Sequence, residues 1–512
     1  MVPIRIYIHE DRLNSFLYEL GKLRCFQFTD ARGSIKDAQY VESGETLFRI
    51  SSILTRLNSL LSALKVEVKE RVDLPVAESL EHILDEVEKE VGHVEDEVIK
   101  LQSEIAELRR RGVGGDEIRV LEDKISRIAM EKGKELSSYL SMLRNLKAIE
   151  EAKRFMAKMM NVYIIEGWIP EERVKDLSTC VEKCEGYVEV VSGSREAPTI
   201  VKNPGFLKVF EKLVKTYGLP SSREIDPTVF FIVSFPLIFG MMFGDVGHGI
   251  LLLLFGSLLH LLSRRMKYEP KGFISYILNA GSLMIICSPT TIGFGFLYGE
   301  LFGSHEWFEM VTGLHKPLWF SPLKEPMLLF KYAILIGVVQ ISFGLILDLA
   351  NKLLNRMFKE AIIGPIMWMW LYWSGVYLVL TYGWNVFRIV FNLNISGPFL
   401  ILPFAVMVAI RTLFHGIDGI AESLEQFISS LSHTLSYVRI LALNMIHGVF
   451  SRLFLPANPL MFIAFTFGTI FVILGFEQLL AFIHTLRLHW VEWFSKFYRG
   501  NGIEFKPFAI EF

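Results

Sequence analysis

The chain has almost no net charge, few cysteines, no phosphate-binding loop and no internal repeat. Each shortage narrows what it can do. Its 53 basic and 55 acidic residues leave a formal charge of −2, a balance that carries no signal for nucleic acid, and none is expected as a partner. No stretch of the form G-x-x-x-x-G-K-S/T occurs, so no P-loop ATP site is expected. Of the four cysteines, Cys25, Cys180, Cys184 and Cys287, only Cys180 and Cys184 lie one helical turn apart. A metal or redox pair there stands against the simpler reading of two ordinary thiols. The opening MVPIRIYIHEDRLNSF has no apolar run after a basic start. The first membrane span is therefore expected to be internal, with the N-terminal half in the cytoplasm.

Apolar residues are what the chain has in excess. It is 51% hydrophobic and 13% aromatic over 512 residues, with a mean hydropathy of +0.37. This composition describes a polytopic membrane protein. Charge is concentrated in the first half, so two different domains are expected, residues 1–225 and 226–512.

In the first half, residues 3–9 alternate Ile4, Ile6 and Ile8 with Arg5, Tyr7 and His9, a strand pattern. A short amphipathic helix over 11–23 and a strand over Cys25–Thr29 follow. A matching unit has strands at Asn161–Glu166 and Tyr187–Val191 around a helix over Pro170–Lys183, with proline in its first turn. These predict two small α/β lobes. Between them Leu80, Leu84, Val87, Val91, Val94, Val98, Leu101, Ile105 and Leu108 step by four and three, a coiled-coil spacing. The run breaks at RRRGVGGD, where Asp116 can cap a second helix carrying Ile118, Leu121, Ile125, Ile128, Leu136, Tyr139, Leu143 and Leu146. The expected fold class is mainly α. An antiparallel coiled-coil arm holds two cytosolic lobes apart, and a helical membrane domain follows.

Past Asp226-Pro227-Thr228, about eight spans of roughly 20 residues are expected, near 228–243, 246–263, 276–300, 328–350, 362–382, 386–411, 421–453 and 458–489. The third and the last two exceed what is needed to cross, and are expected to be tilted or to project beyond the bilayer. The loops Ser263–Lys271 and Lys352–Lys359 are basic, which places them, and both chain termini, on the cytoplasmic side. Gly240, Gly244, Gly247 and Gly249 permit close helix packing around Asp245 and His248. Those two residues are expected near the outer interface, with structural and transport roles both open. Glu300 and Asp348, at span ends, are equally open.

The seventh expected span holds an arginine near its middle. At about 100° per residue, Glu425, Ser429, Ser432, Ser436, Arg439, Leu443 and His447 fall within about 80° of one another. An arginine at membrane depth costs about 2.5 kcal/mol or more, which makes a functional role the default. The competing reading is an arginine that snorkels or pairs permanently with a buried acid. In the last span Glu477, Ala481, His484 and Leu488 share one face. Equal counting from the turn at Pro456–Pro459 places Glu477 at the depth of Arg439 and Arg487 at the depth of Glu425. Such pairs either lock two helices together or line a path for protons. A guanidinium that never deprotonates would block leakage while favouring the charged form of a carboxylate brought beside it.

Ser436-Tyr-Val-Arg-Ile-Leu-Ala-Leu-Asn-Met-Ile-His447 resembles the signature of the membrane stator subunit, a or I, of V-type and A-type rotary ATPases. His484-Thr-Leu-Arg-Leu-His-Trp-Val-Glu492, Ser495-Lys-Phe-Tyr498, Pro507-Phe508, Phe235-Pro through Gly249, Gly167-Trp-Ile-Pro170 and Asp226-Pro-Thr228 are also similar. The resemblance implies that Arg439 faces the carboxylates of a rotating proteolipid ring and separates two proton half-channels. It places Glu425, His447, Glu477, His484 and Arg487 along proton passage, beside Ser432 and Ser436 of the polar stripe. It implies peripheral-stalk contacts through the N-terminal lobes, central-stalk-associated partners, and no catalytic site, cofactor or metal. Val438, Ile440, Leu441, Asn444, Met445 and Ile446 differ from the usual eukaryotic residues, and the cytosolic half is short. Both imply an archaeal or bacterial plasma membrane. A secondary ion transporter and a membrane scaffold are the alternatives.

Overall fold

The computed structural model describes residues 1–31, 39–40, 44–66, 80–111, 115–191, 196–201, 203–204, 208–266, 273–385, 388, 392–453, 465 and 468–510. The chain divides into two units, Met1–Ile200 with Ile503–Phe512, and Val201–Gly502.

In the first unit the alternating run forms β1 (Val2–His9), and Ile4, Ile6 and Ile8 are buried. Helix α1 (Leu13–Leu23) ends where Arg24 turns left-handed at φ 49°. Strands β2 (Gln27–Thr29) and β3 (Gln39–Tyr40) follow. Helices α2 (Gly44–Ala63), α3 (Leu80–Arg111) and α4 (Gly115–Lys153) then make a long excursion. The chain returns through β4 (Ala157–Met159), β5 (Val162–Ile169), α5 (Val174–Lys183) and β6 (Tyr187–Val190).

The two expected lobes are one sheet. Its order is β3-β4-β5-β1-β6, with β2 also paired to β5. Strand β1 pairs antiparallel with β5 from Val2↔Ile169 to His9↔Val162, and with β6 on its other edge. Strands β3 and β4 flank the helical excursion and pair with each other at Gln39↔Lys158, so the excursion returns to the sheet it left. Alternation identifies a strand but not its partner, which is why the sequence suggested two separate lobes. Opposite Glu166, Arg5 makes a cross-strand ion pair at 2.6 Å. Helices α1 and α5 cover the Ile4–Ile6–Ile8 face, with Phe16, Leu17, Leu177 and Val181 buried against it.

Leu84, Val87, Val91, Val94 and Val98 of α3 are buried with Leu136, Leu140 and Leu143 of α4, and also with Ile50, Ile53, Leu54 and Leu57 of α2. The third helix, α2, was absent from the sequence reading. Arg49–Glu88 at 2.8 Å and Arg56–Glu95 at 2.7 Å tie it to α3. Gly112 and Gly114, in the expected turn, lie outside the described residues.

The second unit begins with α6 (Lys208–Tyr217) and α7 (Thr228–Met242). Asp226 Oδ1 accepts from the Thr228 amide at 2.9 Å and its hydroxyl at 2.6 Å, which fixes the entry to α7. Next come α8 (Val246–Arg265), α9 (Phe273–Tyr298), α10 (His305–Thr312) and α11 (Pro326–Leu354). The chain continues as α12 (Phe358–Tyr382) and α13 (Gly397–His415). Then come α14 (Asp418–Ser436), α15 (Val438–Leu453) and α16 (Gly468–Phe497).

Among the described residues, six helices are long and apolar enough to cross a membrane: α8, α9 from Ala280, α11, α12, α13 and α16. At the first expected span, α7 is apolar but shorter. The expected span over 421–453 is interrupted at Tyr437. Residues 458–464 and 466–467 of the eighth lie outside the described residues, as do 386–387 and 389–391 of the sixth.

Candidate functional site

Helices α14, α15 and α16 carry the polar residues picked out in the sequence, and α7, α8 and α11 pack against them. The break between α14 and α15 sets their directions. Tyr437 sits at φ −70°, ψ −11°, and its amide bonds back to the Thr434 carbonyl at 3.3 Å. Its buried hydroxyl donates to Gln340 Oε1 of α11 at 2.9 Å. On α11, Gly337 leaves room for the ring: a Cβ there would lie 2.6 Å from Tyr437 Cδ2.

Because of this break the expected single stripe divides. Glu425 and Ser432 are exposed, Ser436 and Arg439 are half-buried, and Leu443 and His447 turn into the bundle. Ser432, Ser436 and Arg439 line an open recess of about 570 Å³, with Ile428, Leu431 and Leu435 around them.

The charge pairing also differs from the expected register. Arg439 Nη1 donates to Glu492 Oε1 at 3.0 Å, with the arginine side chain 24% and the glutamate 2% exposed. Glu477, the expected partner of Arg439, instead meets His447 Nδ1 at 3.0 Å, both groups being buried. Glu425 and Arg487 are both exposed and make no ion pair with each other. Equal counting along ideal helices from Pro456–Pro459 does not give these partners. Two π-helical stretches, Gly468–Glu477 and Leu488–Phe494, rephase the faces of α16. His484 is half-buried, with Nδ1 lacking a hydrogen-bond partner, and lies within electrostatic reach of Arg439 and Arg487.

Around this seam is a ladder that the sequence reading missed. Lys496 Nζ donates to His433 Nδ1 at 2.6 Å and lies 4.3 Å above the Trp368 ring. Trp368 Nε1 donates to Ser430 at 2.6 Å. Tyr372 and Thr434 hydroxyls meet at 3.0 Å. His489 bonds Ser234 of α7 at 2.9 Å, and Asn444 Nδ2 donates to the Met241 carbonyl at 3.1 Å. Glu492 carried one available signal: it lies fifteen positions after Glu477, about four turns along the helix.

Asp245 caps α8, accepting from the His248 amide at 2.9 Å. It also accepts from Phe302 N at 3.0 Å and Gly303 N at 2.7 Å. His248 Nδ1 is 3.2 Å from Asp245 Oδ1, and the His248 and His447 ring centres are 5.2 Å apart.

The model of the V-type ATPase 116kDa subunit family matches residues 118–310 and 416–510, more than half of the chain and the whole of the ionic seam. The chain belongs to that family. It is 25% identical to a vacuolar proton translocating ATPase 100 kDa subunit of Dictyostelium discoideum, over 68% of this chain and 58% of that protein. It is 25% identical to an A-type ATP synthase subunit I of Methanocaldococcus jannaschii, over 94% of this chain and 78% of the relative. To a V-type proton ATPase subunit a1 of Arabidopsis thaliana it is 24% identical, over 74% of this chain and 62% of that one. The chain thus spans less than two thirds of several relatives it matches. Membership of this family, together with six membrane-length apolar helices among the described residues, makes it a multi-pass membrane protein.

Proposed function

We propose that this chain is the non-catalytic, proton-translocating stator subunit of a V/A-type rotary ATPase. It forms two proton half-channels against a rotating proteolipid ring. The observation that carries the reading is the setting of Arg439. Its guanidinium is anchored by Glu492 yet remains 24% exposed at a recess walled by outward-facing Ile428, Leu431 and Leu435. A charge anchored on one side and open on the other can meet a carboxylate carried past it. It stays protonated throughout, so it favours the ionised carboxylate and bars proton leakage between the half-channels.

The buried His447–Glu477 pair supplies an imidazole and a carboxylate in contact, groups that accept and release protons in turn. Ser432, Ser436, Glu425, His484 and Arg487 complete the polar lining. About eight spans cross a prokaryotic plasma membrane, with both termini cytoplasmic. The first unit anchors the peripheral stalks, and central-stalk-associated subunits complete the complex.

The test is ATP-driven acidification of vesicles bearing the complex with Arg439→Gln, after confirming assembly and co-purification of the proteolipid ring. Loss of pumping in an assembled complex is expected. Normal pumping would leave Arg439 a structural charge and favour a scaffold.

A further inference from the structure

Arg411 sits about one turn before the end of α13 and is 4% exposed. Its one hydrogen bond among the described residues is long, from Nη2 to the Ile363 carbonyl of α12 at 3.4 Å, and Nε is buried with no partner. It makes no ion pair among the described residues. Glu422 of α14 lies within electrostatic reach, but that carboxylate is held by His415 at 3.0 Å. At Gly419 the backbone of α14 presses on this turn, since a Cβ there would lie 2.5 Å from the Arg411 carbonyl carbon. A guanidinium has five N–H donors and keeps its charge at every working pH. A buried cation with no counter-charge is strongly disfavoured, and buried polar atoms are normally satisfied, so the site calls for an anion.

We propose that Arg411 holds the phosphate of an anionic phospholipid where α13 ends and α12 begins. A planar guanidinium suits a phosphate, which it grips through two parallel N–H donors. The depth agrees. Arg411 precedes the end of α13 at His415, and Ile363 follows the start of α12 at Phe358, by about 6–8 Å along each helix. That is the level at which headgroups meet acyl chains. The surroundings select a lipid over a dissolved anion. Leu413, Phe414 and Ile417 on one side and Phe358 and Ile362 on the other are exposed, an apolar rim suited to acyl chains. On the orientation proposed above these ends face the cytoplasm, the leaflet that carries anionic lipid. Lys352 of α11 lies over the same turn of α12, since a Cβ on Gly364 would be 2.7 Å from its Nζ. Lys352 is paired with Asp348 at 2.8 Å, which leaves Arg411 as the cation there that lacks a carboxylate.

Only the choice of leaflet rests on that orientation, and the test reads binding rather than pumping, so this site and the proton-passage reading can fail separately. The full chain, purified in a nonionic detergent and stripped of lipid, is melted with phosphatidylglycerol, phosphatidylcholine or inorganic phosphate at equal concentration. Phosphatidylglycerol should raise the melting temperature by several degrees, and the other two should not. Arg411→Gln should lose that rise. Arg411→Lys should keep only part of it, because an ammonium cannot grip a phosphate through a fixed pair of donors. An equal response to inorganic phosphate or to phosphatidylcholine would overturn the choice of an anionic lipid. An undiminished rise in Arg411→Gln would overturn the site. Should Arg411→Gln fail to fold, Arg411→Lys decides: a diminished rise supports the site, and a full one overturns it.

Discussion

Arg439 and Glu492 meet at 3.0 Å, and the glutamate is by far the more buried partner. Glu492 Oε2 has no hydrogen-bond partner of its own. Removing the arginine therefore strands a buried carboxylate, whereas removing the glutamate frees an arginine that already reaches the recess. Arg439→Gln should cost about 2–4 kcal/mol of stability, and Glu492→Gln about 1 kcal/mol. The double variant should recover most of the loss while leaving pumping abolished. Thermal unfolding of the three variants in detergent measures the cycle. Equal stabilities would mean that the pair holds nothing in place.

Tyr437 sets the direction of the turn that carries Arg439, and Gly337 gives its ring room. Gly337→Ala would place a Cβ 2.6 Å from the Tyr437 ring, an overpacking that should cost about 1–3 kcal/mol. Tyr437→Phe strands Gln340 Oε1 and should cost about 1 kcal/mol. Melting temperatures should therefore fall further for Gly337→Ala than for Tyr437→Phe. The reverse order would mean that the hydroxyl, not the ring, locks the break.

Residue type was legible from the sequence and pairing was not. Arg439, Glu477 and His447 stood out because ionisable groups in an apolar helix are costly wherever they point. Their partners depend on the π-helical turns of α16, which have no compositional signature. Ile4, Ile6 and Ile8 announced a strand, yet nothing local said that β1 would lie between β5 and β6. The cluster of Asp245, His248 and His447 joins residues some two hundred positions apart, and only packing shows it. The polar stripe was read as one face because a helix was assumed to run unbroken through Tyr437.

Cys180 and Cys184 are free and buried beside Leu177 and Val181. Burial, and secondarily the neighbouring Cys184, pushes the Cys180 thiol from its ordinary 9.0 up to about 12. Its thiolate fraction at pH 8 should be roughly a thousandfold below that of a free thiol. Iodoacetamide at pH 8 should leave Cys180 unmodified in the folded chain and label it after unfolding. The folded state holds this proton more tightly than the unfolded one. Its stabilising contribution is thus complete below about pH 9 and is lost as pH rises toward 12. Melting of Cys180→Ala across that window should fall less steeply than wild type. Rapid labelling of native Cys180 would instead indicate an exposed, reactive thiol.

Ile510 closes the core of the first unit from the far end of the chain, at 1% exposure. The tail runs along the segment before and within β2. Lys506 N donates to Gln27 Oε1 at 2.9 Å, Phe508 N to the Phe26 carbonyl at 2.7 Å, and Arg24 Nη2 to the Ile510 carbonyl at 3.1 Å. Gly21 is what admits the side chain, since a Cβ there would lie 2.5 Å from Ile510 Cδ1. Ile510→Ala should cost about 2–4 kcal/mol by leaving a cavity. Gly21→Ala should cost about 1–3 kcal/mol by overpacking. Combined, the added methyl enters the space the isoleucine vacates, so the double variant should be more stable than the two losses predict by addition. Unfolding of the three variants, with proteolysis of the tail as a second readout, checks this. Simple additivity would mean that Gly21 and Ile510 do not share the same space.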